Sequence, residues 1–181
     1  MASDSSSDDP HISWNSRIAI DQAKVDNLLG RIKSHLGLDV FDVSISFVNN
    51  EDIQSLNSEF RNKNQPTDVL SFPQEHWPEP VTINTPYHSA SKHTRSPEPP
   101  RHLGDIVIAP LVALDNANGI GQSIDREICF LIIHGILHLC GHDHNNPTEE
   151  IIMIEQQKTI LSLLEEDDPP LIWSDCARLR S

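Results

Sequence analysis

Residues 123–144 read SIDREICFLIIHGILHLCGHDH and include the longest apolar run in the chain. Ser123 is a favourable helix N-cap residue, and the apolar run after it is interrupted at His134 and His138. Gly141, which tolerates a left-handed backbone, follows the run and provides a stop signal. The stretch therefore predicts a central apolar helix that begins after Ser123 and ends at Gly141.

The two histidines within this helix have the spacing of a metal-binding pair. Residues four apart project from the same helix face about one turn apart, so both imidazoles can bind one ion. Gly141 can turn the chain back and bring His144 into reach as a third ligand. Three protein ligands leave a fourth position for water, as in catalytic zinc sites. The stretch predicts one Zn2+ held by His134, His138 and His144, although imidazole triads also suit nickel, copper and iron.

The residues between the second and third histidines are expected to lie outside the ligand set. His142 should point away from its neighbours, and Cys140 is expected to be a small buried residue. Asp143 has two interpretations, since its carboxylate can accept an N–H from a ligand ring or can simply order the turn.

One alternative function follows from the same spacing. HxxxHxxGxxH is also the ligand pattern of the metzincin proteases, in which a glutamate after the first histidine is the general base. Gly135 occupies that position here, and glycine can neither accept nor deliver a proton. A metzincin-like metalloprotease therefore has the right ligand spacing but lacks its catalytic glutamate.

Helical periodicity predicts four further helices around the central one. They run from Asp21 as cap to Gly37, from Asn50 as cap to about Phe60, over 111–118, and from Pro147 to about Leu164. The second of these should turn Ile53, Leu56 and Phe60 towards the core.

Strand patterns alternate with these helices. The predicted strands are one opened by His11–Trp14, then 41–48, 69–72 and 104–109. Helices and strands do not follow a strict βαβ order, so we expect an α/β fold of the α+β kind. It should have a small mixed sheet of about four strands covered by helices, with the metal site at the end of the central helix.

Composition predicts one domain with polar appendages. We expect a single domain over residues 1–168, a Pro-rich inserted loop at about 73–101, and a flexible tail over 169–181. The loop is indicated by seven of the 13 prolines in the chain. The N-terminal segment resembles neither a secretory signal nor a transit peptide, and the apolar run is too short to cross a bilayer.

Charge and cysteine content favour an intracellular protein that is not a general nucleic-acid binder. The net charge is −14, of which residues 1–10 contribute −3 and residues 149–168 contribute −6. A polyanionic substrate would therefore need local basic groups and the metal to attract it. Three cysteines without a CxxC pair do not form a disulfide framework, which fits a cytoplasmic location.

Three blocks of sequence resemble a known family. HGILHLCGHDH (134–144) resembles the HGxLHLxGyDH signature of the YbeY family of endoribonucleases and rRNA maturation factors. Upstream, Leu56-Asn57 and Phe60-Arg61 followed by PTDVLSFP (66–73) match its LN…YR…PTDVLSFP block, and LGDIVI (103–108) matches the next. The chain departs from the pattern at His142, which replaces an aromatic residue, and in its longer Pro-rich connection.

The resemblance implies a metal-dependent endoribonuclease specific for single-stranded RNA. Its partners would be rRNA and the ribosome or ribosomal proteins, and its role would be rRNA processing and ribosome quality control. The functional arginine of the family carries over onto Arg61, although Phe60 replaces the tyrosine before it. A guanidinium can hold a scissile phosphate with two hydrogen bonds and offset the charge that develops there.

Two questions stay open at the level of sequence. The attacking group can be a metal-activated water or the 2′-hydroxyl of the RNA itself, because no general base is evident beside the ligands. A third function class also remains, in which the protein is a non-catalytic, zinc-stabilised partner of the ribosome. In that case the acidic surface would contact basic ribosomal proteins.

Overall fold

A computed structural model describes residues 20–87 and 100–167 of the chain. These ranges contain five helices and three strands. In chain order they are α1 (Gln22–Leu36), β1 (Phe41–Phe47), α2 (Asn50–Arg61), β2 (Val69–Pro73), β3 (Arg101–Ile108), α3 (Pro110–Ile120), α4 (Ile124–Leu139) and α5 (Pro147–Asp167). No helix within the described ranges is long and apolar enough to cross a membrane.

The strands form one mixed sheet in the order β1-β3-β2. β1 runs parallel to β3, whereas β2 is antiparallel to β3. The predicted α/β class and mixed sheet are confirmed, but the described residues contain three strands rather than about four. The remaining candidate strand, opened by His11–Trp14, lies outside the described residues.

α4 is the central helix, as predicted. It packs against β2, β3, α3 and α5, and most of its residues are buried. Gly135 lies directly over the sheet, where a β-carbon would stand 2.8 Å from Cδ1 of Ile106. The glycine therefore lets α4 approach β3 more closely than any other residue would allow.

Two predictions for α2 were wrong in detail. The N-cap residue is Asn49, whose Oδ1 accepts a hydrogen bond from the Asp52 amide at 2.8 Å, and Asn50 is the first helical residue. Phe60 is 54% exposed and meets Phe72 edge-on at 5.1 Å instead of facing the core. Phe60 is in the last turn of α2 and its ring meets β2, which has a neighbour on only one side in the described sheet.

The segment of residues 74–87 has no helix or strand, yet it packs onto the core. The rings of Trp77 and Tyr87 lie 5.7 and 5.2 Å from that of Phe41, and Val81 is buried. Strands occupy both ends of the predicted inserted loop, since Pro73 ends β2 and Arg101 begins β3. Its residues 88–99 and the predicted tail over 169–181 lie outside the described residues.

Candidate metal centre

The structure brings His134, His138 and His144 together at the C-terminal end of α4. One ring nitrogen from each residue lies within 4.8 Å of the other two. Among the described residues, this is the group of side chains that could hold a metal ion. The Nε2 atoms of His134 and His138 are 3.0 Å apart. The His144 ring lies 5.2 Å from that of His138, on the chain that returns after the helix.

Local backbone geometry explains how His144 reaches the helix. α4 ends at Leu139, and Gly141 takes a φ of +87°, which reverses the chain direction. Trp77 covers this turn, because its Nε1–H donates to the Leu139 carbonyl at 2.7 Å and its ring packs against Gly141. The turn is thus fixed from both sides, by its own backbone and by the 74–87 segment.

The Nδ1 atoms of both helical histidines are already occupied. His138 Nδ1 donates to the backbone carbonyl of His142 at 3.0 Å, and His134 Nδ1 lies 3.1 Å from the side-chain amide of Gln157. With Nδ1 engaged, Nε2 is the atom that each ring presents to the cluster. Ligand rings in metalloproteins are oriented by such hydrogen bonds.

The environment keeps these imidazoles uncharged. Burial lowers the pKa of His134 to about 4, and the neighbouring His138 and His144 act in the same direction against a smaller opposing effect of Asp68. Burial also lowers the pKa of His138, with His144 and Arg61 contributing. Because only the neutral imidazole binds a cation, the two rings are ready to act as ligands at neutral pH.

The donor set fits zinc. Zn–N bonds of about 2.0–2.1 Å in a tetrahedral site place the nitrogens about 3.3–3.4 Å apart, close to the spacing of the His134 and His138 Nε2 atoms. Within the described residues, neither a carboxylate nor a thiolate completes the cluster. Burial raises the pKa of the Cys140 thiol to about 12, so that residue is a buried neutral side chain as predicted.

The structure also resolves the roles of the two intervening residues. His142 points away from the cluster, and its Nε2–H donates to the Val81 carbonyl at 2.7 Å. Asp143 orders the turn, since its carboxylate accepts hydrogen bonds from the His144 backbone amide and from the Asn145 side chain. Of the two interpretations of Asp143, the geometry therefore favours the turn.

The cluster opens into a cleft of about 820 Å³. Arg61 lines this cleft with the three histidines, and its Nη2 lies 3.5 Å from the Ser71 carbonyl. Lys63 adds a second positive charge to a lining that also includes the carboxylates of Asp68 and Asp143. Arg61 is exposed, so its guanidinium is accessible to a ligand in the cleft.

The loop between α2 and β2 is ordered by Asp68. Its Oδ1 accepts hydrogen bonds from the Val69 amide at 2.8 Å and from the Thr67 hydroxyl at 3.2 Å, while Oδ2 accepts from Asn116 at 3.1 Å. These bonds fix the wall of the cleft that faces the histidines.

Sequence reasoning missed two contacts of this centre. Gln157 lies 23 residues from His134 along the chain, and its only sequence signal is a polar residue on the buried face of α5. Trp77 and Val81 lie in a Pro-rich stretch whose composition is typical of an exposed loop. Their packing against the ligand turn has no local pattern that would reveal it.

Comparisons with known proteins identify the family. A sequence model described as Endoribonuclease YbeY matches residues 12–165. The chain is 42% identical over 120 residues to Endoribonuclease YbeY of Bacillus cereus, a match that covers 66% of this chain and 70% of the relative. The chain is 40% identical over 139 residues to the Staphylococcus carnosus protein of that name, a match that covers 76% of this chain and 82% of the relative. It is 39% identical over 142 residues to the Listeria welshimeri protein, a match that covers 78% of this chain and 84% of the relative.

A solved structure agrees at the level of fold. The solution structure of TM1509 from Thermotoga maritima has a TM-score of 0.51 and covers 86% of this chain and 91% of its own, at 23% identity. The match over residues 12–165 and the extent of the similarity confirm what the three sequence blocks predicted: the chain belongs to the YbeY family.

Proposed function

We propose that this chain is a metal-dependent endoribonuclease that cuts single-stranded RNA and acts in rRNA maturation and ribosome quality control. The printed description of the family, Endoribonuclease YbeY, supports the activity. The observation that carries the proposal is the convergence of three histidines and Arg61 on one cleft. Two of those imidazoles are kept uncharged by burial, as cation binding requires.

His134, His138 and His144 would hold one Zn2+, and the fit of their nitrogen donors supports this assignment. A bound zinc ion supplies Lewis acidity, which stabilises negative charge on a phosphate oxygen or on an attacking oxygen. The His142 carbonyl would hold the His138 ring in the orientation that presents its Nε2 to the ion.

Arg61 would bind the scissile phosphate opposite the three histidines. A planar guanidinium donates two parallel hydrogen bonds to a phosphate, and its charge favours the more negative transition state. Lys63 would attract the neighbouring phosphates to the same cleft. Arg61 and Lys63 balance the charges of Asp68 and Asp143 in the cleft lining, so a bound ion would supply the net positive charge that attracts RNA.

Peptide hydrolysis is a poor alternative for structural as well as chemical reasons. A metzincin glutamate at position 135 would place its β-carbon 2.8 Å from the buried Ile106 side chain. The position therefore lacks both the proton-transfer group and the room for it. RNA cleavage does not depend on a glutamate at this position, because the 2′-hydroxyl of the substrate can itself attack and pass its proton to solvent.

The organisation and partners form part of the same proposal. We treat residues 1–168 as one domain, and the family match over residues 12–165 lies within it. Ribosomes or ribosomal proteins would present the rRNA to the cleft. The proposed location is the cytoplasm, or an organelle reached without a recognisable presequence.

The test is cleavage of a labelled single-stranded RNA, with the metal content of each protein measured. We expect wild type to cut, Arg61→Ala to keep its metal but cut about 10²–10³-fold more slowly, and His138→Ala to lose metal and activity. Arg126→Ala removes an exposed arginine that pairs with Glu165 outside the cleft, and it should cut like wild type. A wild-type protein that holds one metal ion and cuts no RNA would overturn the proposal.

The substrate can be varied to identify the attacking group. If the 2′-hydroxyl attacks, the product ends in a 2′,3′-cyclic phosphate, and a single 2′-deoxy substitution at the cleavage site stops the reaction. If water attacks, the 2′-deoxy substrate is still cut.

A further inference from the structure

Two adjacent glutamines are buried on the inner face of α5. Gln156 and Gln157 are 8% and 2% exposed, whereas the other buried side chains of this helix are apolar. Those apolar residues are Met153, Ile160, Leu161 and Leu164. A buried amide is unfavourable unless it is hydrogen-bonded, so each glutamine needs a partner.

The two glutamines have different partners. Oε1 of Gln156 accepts a hydrogen bond from the Ile83 backbone amide at 3.1 Å, which ties the 74–87 segment to α5. Nε2 of the Gln157 amide lies 3.1 Å from Nδ1 of His134. Gln156 and Gln157 are thus similarly buried, but Gln156 contacts the 74–87 segment whereas Gln157 contacts the histidine cluster.

The chemistry of imidazole decides what Gln157 must do. A neutral ring carries one proton, and Nε2 binds a metal ion when that proton is on Nδ1. At His138 the Nδ1 partner is the His142 carbonyl, which can only accept and therefore fixes this tautomer. At His134 the partner is an amide, whose oxygen accepts the Nδ1 proton when it is turned towards the ring and whose nitrogen favours the opposite tautomer.

We propose that Gln157 is a positioning residue of the metal centre. A half-turn of its amide exchanges Nε2 for Oε1 beside Nδ1 of His134, and in that orientation it would hold the ring in place and select the tautomer whose Nε2 binds the ion. This inference rests on the proposed metal site, and it assigns to α5 a contribution to metal affinity in addition to its packing.

The test is Zn2+ affinity, measured for the purified full chain by competition with a chromophoric chelator. Gln157→Leu removes the acceptor and should weaken Zn2+ binding about 10–100-fold. Gln157→Glu keeps an acceptor at the same distance and should restore affinity to within a few-fold of wild type. Gln156→Leu is the matched control, because it removes an equally buried amide without touching His134, and it should bind Zn2+ like wild type.

A spectroscopic measurement separates positioning from packing. The 15N shifts of the His134 ring should report a proton on Nδ1 in metal-free wild type and metal-free Gln157→Glu. In metal-free Gln157→Leu they should report a mixture of tautomers. Thermal unfolding of each variant confirms that the proteins compared are folded.

The outcomes distinguish this inference from the proposed function. If wild type binds no Zn2+, the metal site and the role of Gln157 fall together. If wild type binds Zn2+ and Gln157→Leu binds equally tightly, the role of Gln157 alone is overturned. It is also overturned if Gln156→Leu weakens binding as much as Gln157→Leu, or if Gln157→Glu fails to restore it.

Discussion

Gly135 shows how a single residue sets the distance between α4 and the sheet. A β-carbon there would come within 2.8–3.1 Å of three atoms of the Ile106 side chain. Overpacking of this kind costs about 1–3 kcal/mol, of which alanine recovers about 1 kcal/mol through its helix propensity. We expect Gly135→Ala to lower the free energy of unfolding by about 1 kcal/mol, as measured by urea denaturation.

Gly30 provides the matched control for this substitution. It lies within α1, is exposed, and has nothing within 4 Å of an added β-carbon. Gly30→Ala should therefore raise the free energy of unfolding by about 1 kcal/mol through helix propensity alone. Equal effects of the two substitutions would show that the contact with Ile106 is not tight.

The raised pKa of Glu127 predicts that the stability of the protein depends on pH. Burial raises the pKa of this carboxyl above its ordinary value of 4.5, although a hydrogen bond from Gln122 opposes the shift. The folded state therefore holds the proton more tightly than the unfolded state, and the contribution of Glu127 to stability falls as pH rises above 4.5. Glu127→Gln, which mimics the protonated form, should stabilise the protein more at pH 7 than at pH 4.

This prediction is checked by the difference in unfolding free energy between variant and wild type at the two pH values. Glu59→Gln is the control for the same substitution at an exposed position. A Glu127→Gln variant with a larger advantage at pH 4 than at pH 7 would contradict the direction of the shift.

At the scale of elements, the 74–87 segment acts as a brace on the ligand turn. Trp77 contributes most visibly, with a hydrogen bond to Leu139 and packing against Gly141. Trp77→Ala should release the segment, so the amides of Val81 and Tyr87, which bond to Cys140 and Leu36, should exchange faster with solvent. Trp77→Phe keeps an aromatic ring but loses part of its packing and the hydrogen bond, of which the hydrogen bond alone is worth about 1 kcal/mol.

Hydrogen exchange resolved by peptide tests this prediction. The comparison is between protection over 74–87 and protection over α1, whose amides should be unaffected. If exchange over 74–87 is the same in wild type and Trp77→Ala, the segment is held by its other contacts.

Elements with local signals were predictable from the sequence, and distant contacts were not. Asp21, Ser123 and Gly37 mark helix ends through hydrogen bonds and backbone angles within one turn, so α1 and the start of α4 were predicted correctly. Periodicity placed Phe60 on an inner face but cannot tell whether another element covers that face. Gln157 was missed because its partner is on a different helix.

The same distinction holds for the candidate site. The i, i+4 spacing of His134 and His138 and the glycine turn to His144 are encoded in eleven consecutive residues, so the cluster was predictable. Arg61 entered through family resemblance, because nothing local distinguishes it from a solvated arginine at a helix end. Its position in the same cleft depends on how α2 packs beside α4 and the sheet.

For the whole molecule, metal binding should couple to folding. The three ligands come from the end of α4 and the turn after it, so an ion bound to the folded state alone shifts the unfolding equilibrium. At a Zn2+ concentration about 100 times the dissociation constant the stabilisation is about 2.7 kcal/mol. We expect Zn2+ to raise the thermal midpoint of wild type by several degrees and a chelator to reverse the change.

His138→Ala should show no such rise. His102→Ala serves as its control, since this exposed histidine pairs with Asp105 on β3 and takes no part in the cluster. A similar rise in His138→Ala and wild type would mean that the added metal binds elsewhere.

The antiparallel pair β2 and β3 is joined by a long connection rather than by a tight turn. The register of these strands is set by their own pairing and by α4 above them, not by the geometry of a hairpin. The entropy of closing such a connection grows only with the logarithm of its length, about 0.6 kcal/mol for each doubling. A change in the length of this connection would therefore alter the entropy of folding only slightly, and Arg61 and the three histidines lie outside it.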